Sequence, residues 1–171
     1  MTPAHLDARR RKDLLRRASL YGAAFLLPVA LLCLLSAMRG VYPFGPESFL
    51  TEDLKYQYID FFHWYRKVLT GQESLFYSFS TSLGNNAWGL WSYYLASPLN
   101  LLVLLFPDDL MTLAVFLISA IKLGLTGVTT TLYLRNRFSL GAPMSLALAL
   151  SFSCSLWSLT QLRNPLWMDA L

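Results

Sequence analysis

The chain is 171 residues long, 55% hydrophobic and only 14% charged, against about 25% charged residues in soluble domains. That composition excludes an ordinary soluble enzyme and indicates a membrane protein. The net charge of +4 would suit a nucleic-acid partner, but the excess sits in one N-terminal stretch whose natural counterions are anionic lipid head groups, so no nucleic acid is expected.

Residues 1–17 form a basic leader carrying Arg9, Arg10, Arg11, Lys12, Arg16 and Arg17, and the run from Ala18 to Met38 then holds no charge. At 1.5 Å rise per residue that run is long enough to cross a ~30 Å hydrocarbon core. The positive-inside rule keeps the leader in the cytoplasm and sends residues 39–109 outside. The apolar run is too long for a signal-peptide core, and no small-x-small cleavage pattern precedes Arg39, so it reads as an uncleaved anchor. Cys33 and Cys154 both lie in apolar stretches and read as small buried hydrophobes rather than a disulfide or metal pair.

The external loop opens with GVYPFGPESFL, whose prolines and glycines forbid a regular helix. Thr51 is then placed to cap a helix running to about Leu69, with Glu52 and Asp53 in its first turn. On that helix Asp53, Gln57, Asp60 and Lys67 follow one polar stripe, with His63 close to it, while Leu54, Tyr58, Phe61, Phe62, Tyr65 and Leu69 line much of the rest. Acids at a helix start gain ~0.3–1 kcal/mol from the macrodipole, which alone accounts for Glu52 and Asp53. The same carboxylates, held near the outer membrane surface, are also able to take a proton from an acceptor hydroxyl or to bind a divalent cation. His63 reads as a surface helix residue. No zinc spacing, Gly-rich phosphate loop or nucleophile elbow is present, so spacing alone leaves the chemistry open.

Three further stretches are apolar: Ser74–Pro107, Leu110–Leu134 and Phe138–Leu162. If all three crossed, Asp108 and Asp109 would lie inside and Arg135 and Arg137 outside, against the charge rule. The consistent arrangement has crossings at about 18–38, 110–134 and 142–161, with 87–107 a helix lying on or dipping into the outer leaflet. Trp88, Trp91, Tyr93 and Tyr94 would sit at head-group level there, and Ser97-Pro98 interrupts the helix. Lys122 falls near the middle of the second crossing, where an ionisable group costs several kcal/mol unless it faces protein or water. A structural ion pair and a substrate contact are equal alternatives for it. Arg163 follows the third crossing as a snorkelling anchor or a substrate contact, and Lys67 is the remaining external cation considered for binding.

Several short blocks in order carry a family resemblance: Pro43, Phe44 and Gly45; Asp53, Gln57, Tyr58, Phe61 and Phe62; Gly71, Tyr77, Ser78, Phe79, Ser80, Leu83 and Gly84; and YYLASPLNLL with Tyr93, Tyr94, Ser97, Pro98 and Asn100. Near the C-terminus comes NPLWMDAL. Together they resemble the start of the bacterial YfhO-type membrane proteins, over nearly everything after the leader.

The resemblance implies an all-α membrane protein, the N-terminal part of a GT-C-like bundle. It implies a glycosyltransferase that takes its sugar from a polyprenyl phosphate and adds it to teichoic acid or another envelope glycopolymer or lipid at the outer face of the bacterial membrane. Asp53 is the position that matches the family's catalytic acid, and 87–107 matches its membrane-parallel helices. Glu52-Asp53 departs from a separated Asp-x-Asp pair, so the metal is unknown and a divalent cation stays open. Glu52, Gln57, Asp60, Lys122, Arg163 and Asp169 are the substrate-binding candidates. A multi-spanning transporter or flippase, or a non-catalytic envelope scaffold, are the alternatives, although a transporter would place its ionisable groups in the crossings. Three crossings supply few neighbours for Lys122, and WMDAL reads as the opening of a further apolar segment. A piece of a longer protein, inactive alone, is therefore expected.

Overall fold

The computed structural model describes the backbone of residues 3–80 and 84–170 and side chains from Arg9 onward. Leu83, one of the residues carrying the resemblance, lies outside them. Helix α1 runs unbroken from Pro3 to Met38, so the basic leader and the first apolar run are one helix. Its Ala, Leu and Arg residues are strong helix formers. Leu20, Ala24, Pro28, Leu32 and Ser36 are buried at a constant spacing of four, which is one face of a helix. Leu26, Leu27 and Leu34 on the other side are exposed, as lipid-facing residues are.

Helix α4, Met111–Phe138, packs against that face. Two small residues allow the approach: a Cβ added at Gly127 would collide with the carbonyl oxygen of Ala24, and one added at Gly124 would lie 2.7 Å from the Phe25 ring. Close backbone contact at small residues is how helices associate where lipid removes the hydrophobic drive. The apolar span of α4 is 67% buried against 22% for that of α1, so α4 is the central helix. Ser139, left-handed at φ +51°, ends it, and α5 (Ala142–Ser153) turns back along it.

The expected crossing at 142–161 is not one straight helix. α5 stops at Ser153, and α6 (Leu156–Thr160) with the 3₁₀ turn Gln161–Arg163 continues at a bend of 43°. Serines fill the break: Ser158 Oγ donates to the Phe152 carbonyl at 2.7 Å, and Ser155 Oγ accepts from the Ser158 N–H at 3.2 Å. Hydroxyls thereby satisfy backbone groups that the interruption frees. By length and composition two helices are able to cross a membrane, or three if the bent pair counts as one span.

The connection between α1 and α4 also departs from the sequence pattern. Thr51 is not the N-cap. Glu52 takes a left-handed conformation at φ +46°, a π-helical turn begins at Leu54 after Asp53, and α2 proper spans Ile59–Leu69. A two-stranded hairpin, β1 (Tyr77–Ser78) with antiparallel β2 (Asn85–Asn86), follows. The stretch expected as a single surface helix at 87–107 is three pieces: α3 (Ala87–Leu90), a π turn Trp91–Leu95, and a 3₁₀ helix Pro98–Leu105. The 3₁₀ period of three explains its facing, with Asn100 and Val103 buried and Leu101 and Leu104 exposed.

The main hydrophobic core lies where this connection packs on the first half of α4. Leu54, Tyr58, Phe62 and Tyr65 meet Leu95, Val103, Met111, Val115 and Ile118 there. The connection is thus a folded cap on one end of the helices, and α7 (Pro165–Met168) closes against it.

Candidate functional site at the acidic end of the helices

Arg16, Arg17 and Arg135 line a common cavity with Asp13 at one end, whereas Glu52, Asp53, Asp108 and Asp169 belong to the cap or to the segment that closes on it, together with Arg66 and Arg163. Among the described residues no three His, Cys, Asp or Glu side chains gather as a metal ion would require.

At the centre of the cap, residues far apart in the sequence meet. Asn164, in the turn before α7, donates from Nδ2 to Asp53 Oδ2 at 3.3 Å and accepts through Oδ1 from the Tyr58 hydroxyl. Gln57 donates from Nε2 to Asp53 Oδ1 at 3.3 Å, being one helical turn further on, and the Tyr94 hydroxyl donates to Gln57 Oε1 at 3.4 Å. Both oxygens of the Asp53 carboxylate are therefore oriented by neutral amides.

Tyr58 fixes the sense of this chain. Its side chain is fully buried, and that burial pushes its hydroxyl well above the usual phenol range, a hydrogen bond from the Leu166 backbone opposing the shift and the neighbouring Tyr94 and Asp53 adding to it. The hydroxyl stays protonated, and its proton points to Asn164 Oδ1. The other end of the Asn164 amide, a donor, must then face Asp53.

Three other acids, Glu52, Asp169 and Asp108, are paired with cations. Arg163 pairs with Glu52, both partly exposed. Asp169 accepts from Lys122 Nζ at 2.7 Å through Oδ2 and from Ser97 Oγ at 2.8 Å through Oδ1. Lys122, only 3% exposed, also donates to the Pro165 carbonyl at 3.0 Å. The expectation that its neighbours were insufficient is corrected: Pro165 in α7 and Asp169 just after it supply two partners, the second as an ion pair. Asp108 takes Arg66 at 3.5 Å and His63 at 3.3 Å, so His63 joins α2 to the start of α4 instead of standing free on the surface.

Of the candidate residues, Glu52, Asp53, Gln57, Lys122, Arg163 and Asp169 come together around α7. Asp60 does not. It is exposed and makes no polar contact among the described residues. Lys67, in the last turn of α2, is at the far end of that helix from Asp53. Sequence reasoning missed Asn164, Tyr58, Tyr94 and Ser97 as site residues, although all four stand inside the blocks that carry the resemblance.

A chain of buried-faced helices capped by a folded, aromatic-rich connection defines a multi-spanning helical membrane protein with a polar site at one end. The family model for bacterial membrane protein YfhO matches residues 23–171, and the chain belongs to that family. Searches of curated proteins and of solved structures returned no match.

Proposed function

We propose that the protein works in sugar transfer from a polyprenyl phosphate at the outer face of the bacterial membrane, with its N-terminus in the cytoplasm and Asp53 as the general base. The observation that supports this reading most is the state of Asp53. Glu52 and Asp169, the acids gathered with Asp53 around α7, are each paired with a cation, whereas Asp53 is exposed and held at both oxygens by amides. A carboxylate that is oriented and not paired with a cation has a free lone pair to offer an incoming hydroxyl.

A polyprenyl-linked sugar stays at the head-group plane because its chain cannot leave the bilayer, and the cap lies at one end of the helices, where that plane would be. The acceptor hydroxyl gives its proton to Asp53 as its oxygen bonds to the anomeric carbon. The anomeric carbon–oxygen bond to phosphate breaks at the same time, and polyprenyl phosphate leaves with the electron pair. Arg163, half-exposed beside Glu52, is the cation placed to meet the departing phosphate. Teichoic acid or another envelope glycopolymer is the proposed acceptor class.

The test is donor fate in membranes with and without the protein, supplied with radiolabelled polyprenyl-phosphate sugar. Consumption of donor with label appearing in a new glycoconjugate agrees with this reading. Movement of intact donor between leaflets would replace it with a flippase, and unchanged donor with a non-catalytic scaffold.

A further inference from the structure

We infer that the cleft between the Trp91–Leu95 turn and α7 is a pyranose-binding subsite, an inference that rests on the sugar-transfer reading and names where the ring is held. The cleft measures about 370 Å³ and is lined by Tyr93, Tyr94, Ser97, Pro98, Leu166 and Asp169, within the ~300–1,000 Å³ usual for small-molecule sites. Its chemistry is that of a carbohydrate site. A pyranose has apolar C–H faces and a rim of hydroxyls, so it is recognised by an aromatic face together with a few oriented polar groups.

The aromatic face is Tyr93, 57% exposed. It stands edge-on to Tyr94 with ring centroids 4.7 Å apart, which fixes its orientation without covering it. Asp169 supplies the polar rim. Lys122 and Ser97 each occupy one of its oxygens, yet a carboxylate oxygen has a second lone pair, and the side chain is 39% exposed. That free lone pair is an acceptor for a sugar hydroxyl. The cleft also touches the proposed base. Tyr94 in its wall bonds Gln57, and Gln57 bonds Asp53, so a ring seated here lies two side chains from that carboxylate.

The break at Ala96–Pro98 is what opens the cleft. Had 87–107 been one continuous helix, Ser97 would have been turned into its own backbone ladder. Because Pro98 starts a new 3₁₀ segment, Ser97 takes an extended conformation and its hydroxyl reaches Asp169.

The experiment uses the full chain in lipid nanodiscs and saturation-transfer NMR with a panel of soluble probes: glucose 1-phosphate, galactose 1-phosphate and N-acetylglucosamine 1-phosphate. The variants are Tyr93→Ala, Tyr93→Trp and Asp53→Asn; Asp169 is left intact because Lys122 depends on it. At least one probe should show saturated ring C–H protons with wild type and with Asp53→Asn. Binding should weaken about tenfold in Tyr93→Ala and recover in Tyr93→Trp. Equal binding by wild type and Tyr93→Ala, or no binding of any probe by wild type, overturns the subsite. Tyr93-dependent binding in a protein that consumes no lipid-linked donor would keep the subsite and remove the transfer reading. In membranes that do transfer sugar, a Tyr93→Ala effect on the KM for donor assigns the ring to the donor, and one on the KM for acceptor assigns it to the acceptor; an effect on kcat alone contradicts a binding role.

Discussion

Lys122 Nζ lies 2.7 Å from Asp169 Oδ2, joining the middle helix of the bundle to the segment that closes the cap. The two ends of this bridge are unequal, since the Lys122 side chain is 2% exposed and that of Asp169 39%. Removing the acid leaves a buried ammonium with only the Pro165 carbonyl, whereas removing the lysine leaves a carboxylate that water reaches. Asp169→Ala should therefore destabilise the protein more than Lys122→Met, by up to about 3–5 kcal/mol. Thermal unfolding in detergent decides it, and equal losses in the two variants would contradict the asymmetry.

Tyr58 makes stability depend on alkaline pH. A group whose folded pKa is raised above its ordinary value, 10.0 here, contributes stability that is present below that value and is lost as pH climbs past it. At pH 7 Tyr58→Phe loses the bond to Asn164 and should cost about 1–3 kcal/mol. From about pH 10 upward the gap between wild type and variant should shrink. Chemical denaturation at pH 7, 9, 10.5 and 11.5 measures it; a gap that stays constant would show that Tyr58 is not the buried neutral phenol described.

Glu52 carries backbone strain rather than a helix start. Its φ of +46° costs a non-glycine residue roughly 1–2 kcal/mol. Glu52→Gly should accordingly be about 1 kcal/mol more stable than Glu52→Ala, since both lose the carboxylate and only one keeps the strain. Glu52→Gln should change stability by less than ~1 kcal/mol, because its partly exposed pair with Arg163 is worth little. Denaturation midpoints of the three variants test the ordering.

Much of this was legible in the sequence, and what was not has physical causes. Uncharged length located α1 and α4, and the amphipathic stripe located α2. Periodicity could not place the break at Cys154–Ser155, because five of the residues around it are serine or cysteine and are tolerated inside an apolar helix; their meaning appears only when the hydroxyls are seen bonding backbone. Thr51 satisfied the local capping rule, yet the turn at Glu52 starts the helix after Asp53 instead, which frees the Asp53 carboxylate to face Asn164. Asp60 shared the stripe by spacing but not the site, since what selects Asp53 is contact with a segment more than a hundred residues away. Lys122 declared itself as a buried charge, and its partner at Asp169 was a matter of tertiary packing.

The two charged ends give a test of the proposed orientation. If the basic end is cytoplasmic, a single cysteine at Asn136, in a background lacking Cys33 and Cys154, should react with a thiol reagent only after the membrane is permeabilised, while one at Glu73 should react in intact cells. Labelling of position 136 in intact cells would reverse the assignment and place the cap inside.

The central claim is that Asp53 takes the proton from the acceptor. Its most direct measurement is sugar transfer by membranes from cells whose own gene copy encodes Asp53→Asn, compared with wild type at equal protein level. Asparagine keeps the shape and, with its oxygen toward Asn164, that contact, while its NH2 faces Gln57, whose amide must turn over to accept; the base is removed, so lipid-linked donor binding should persist and transfer should fall ~10²–10⁴-fold. Transfer within a few-fold of wild type would contradict the account and move the base to Asp169 or Asp60.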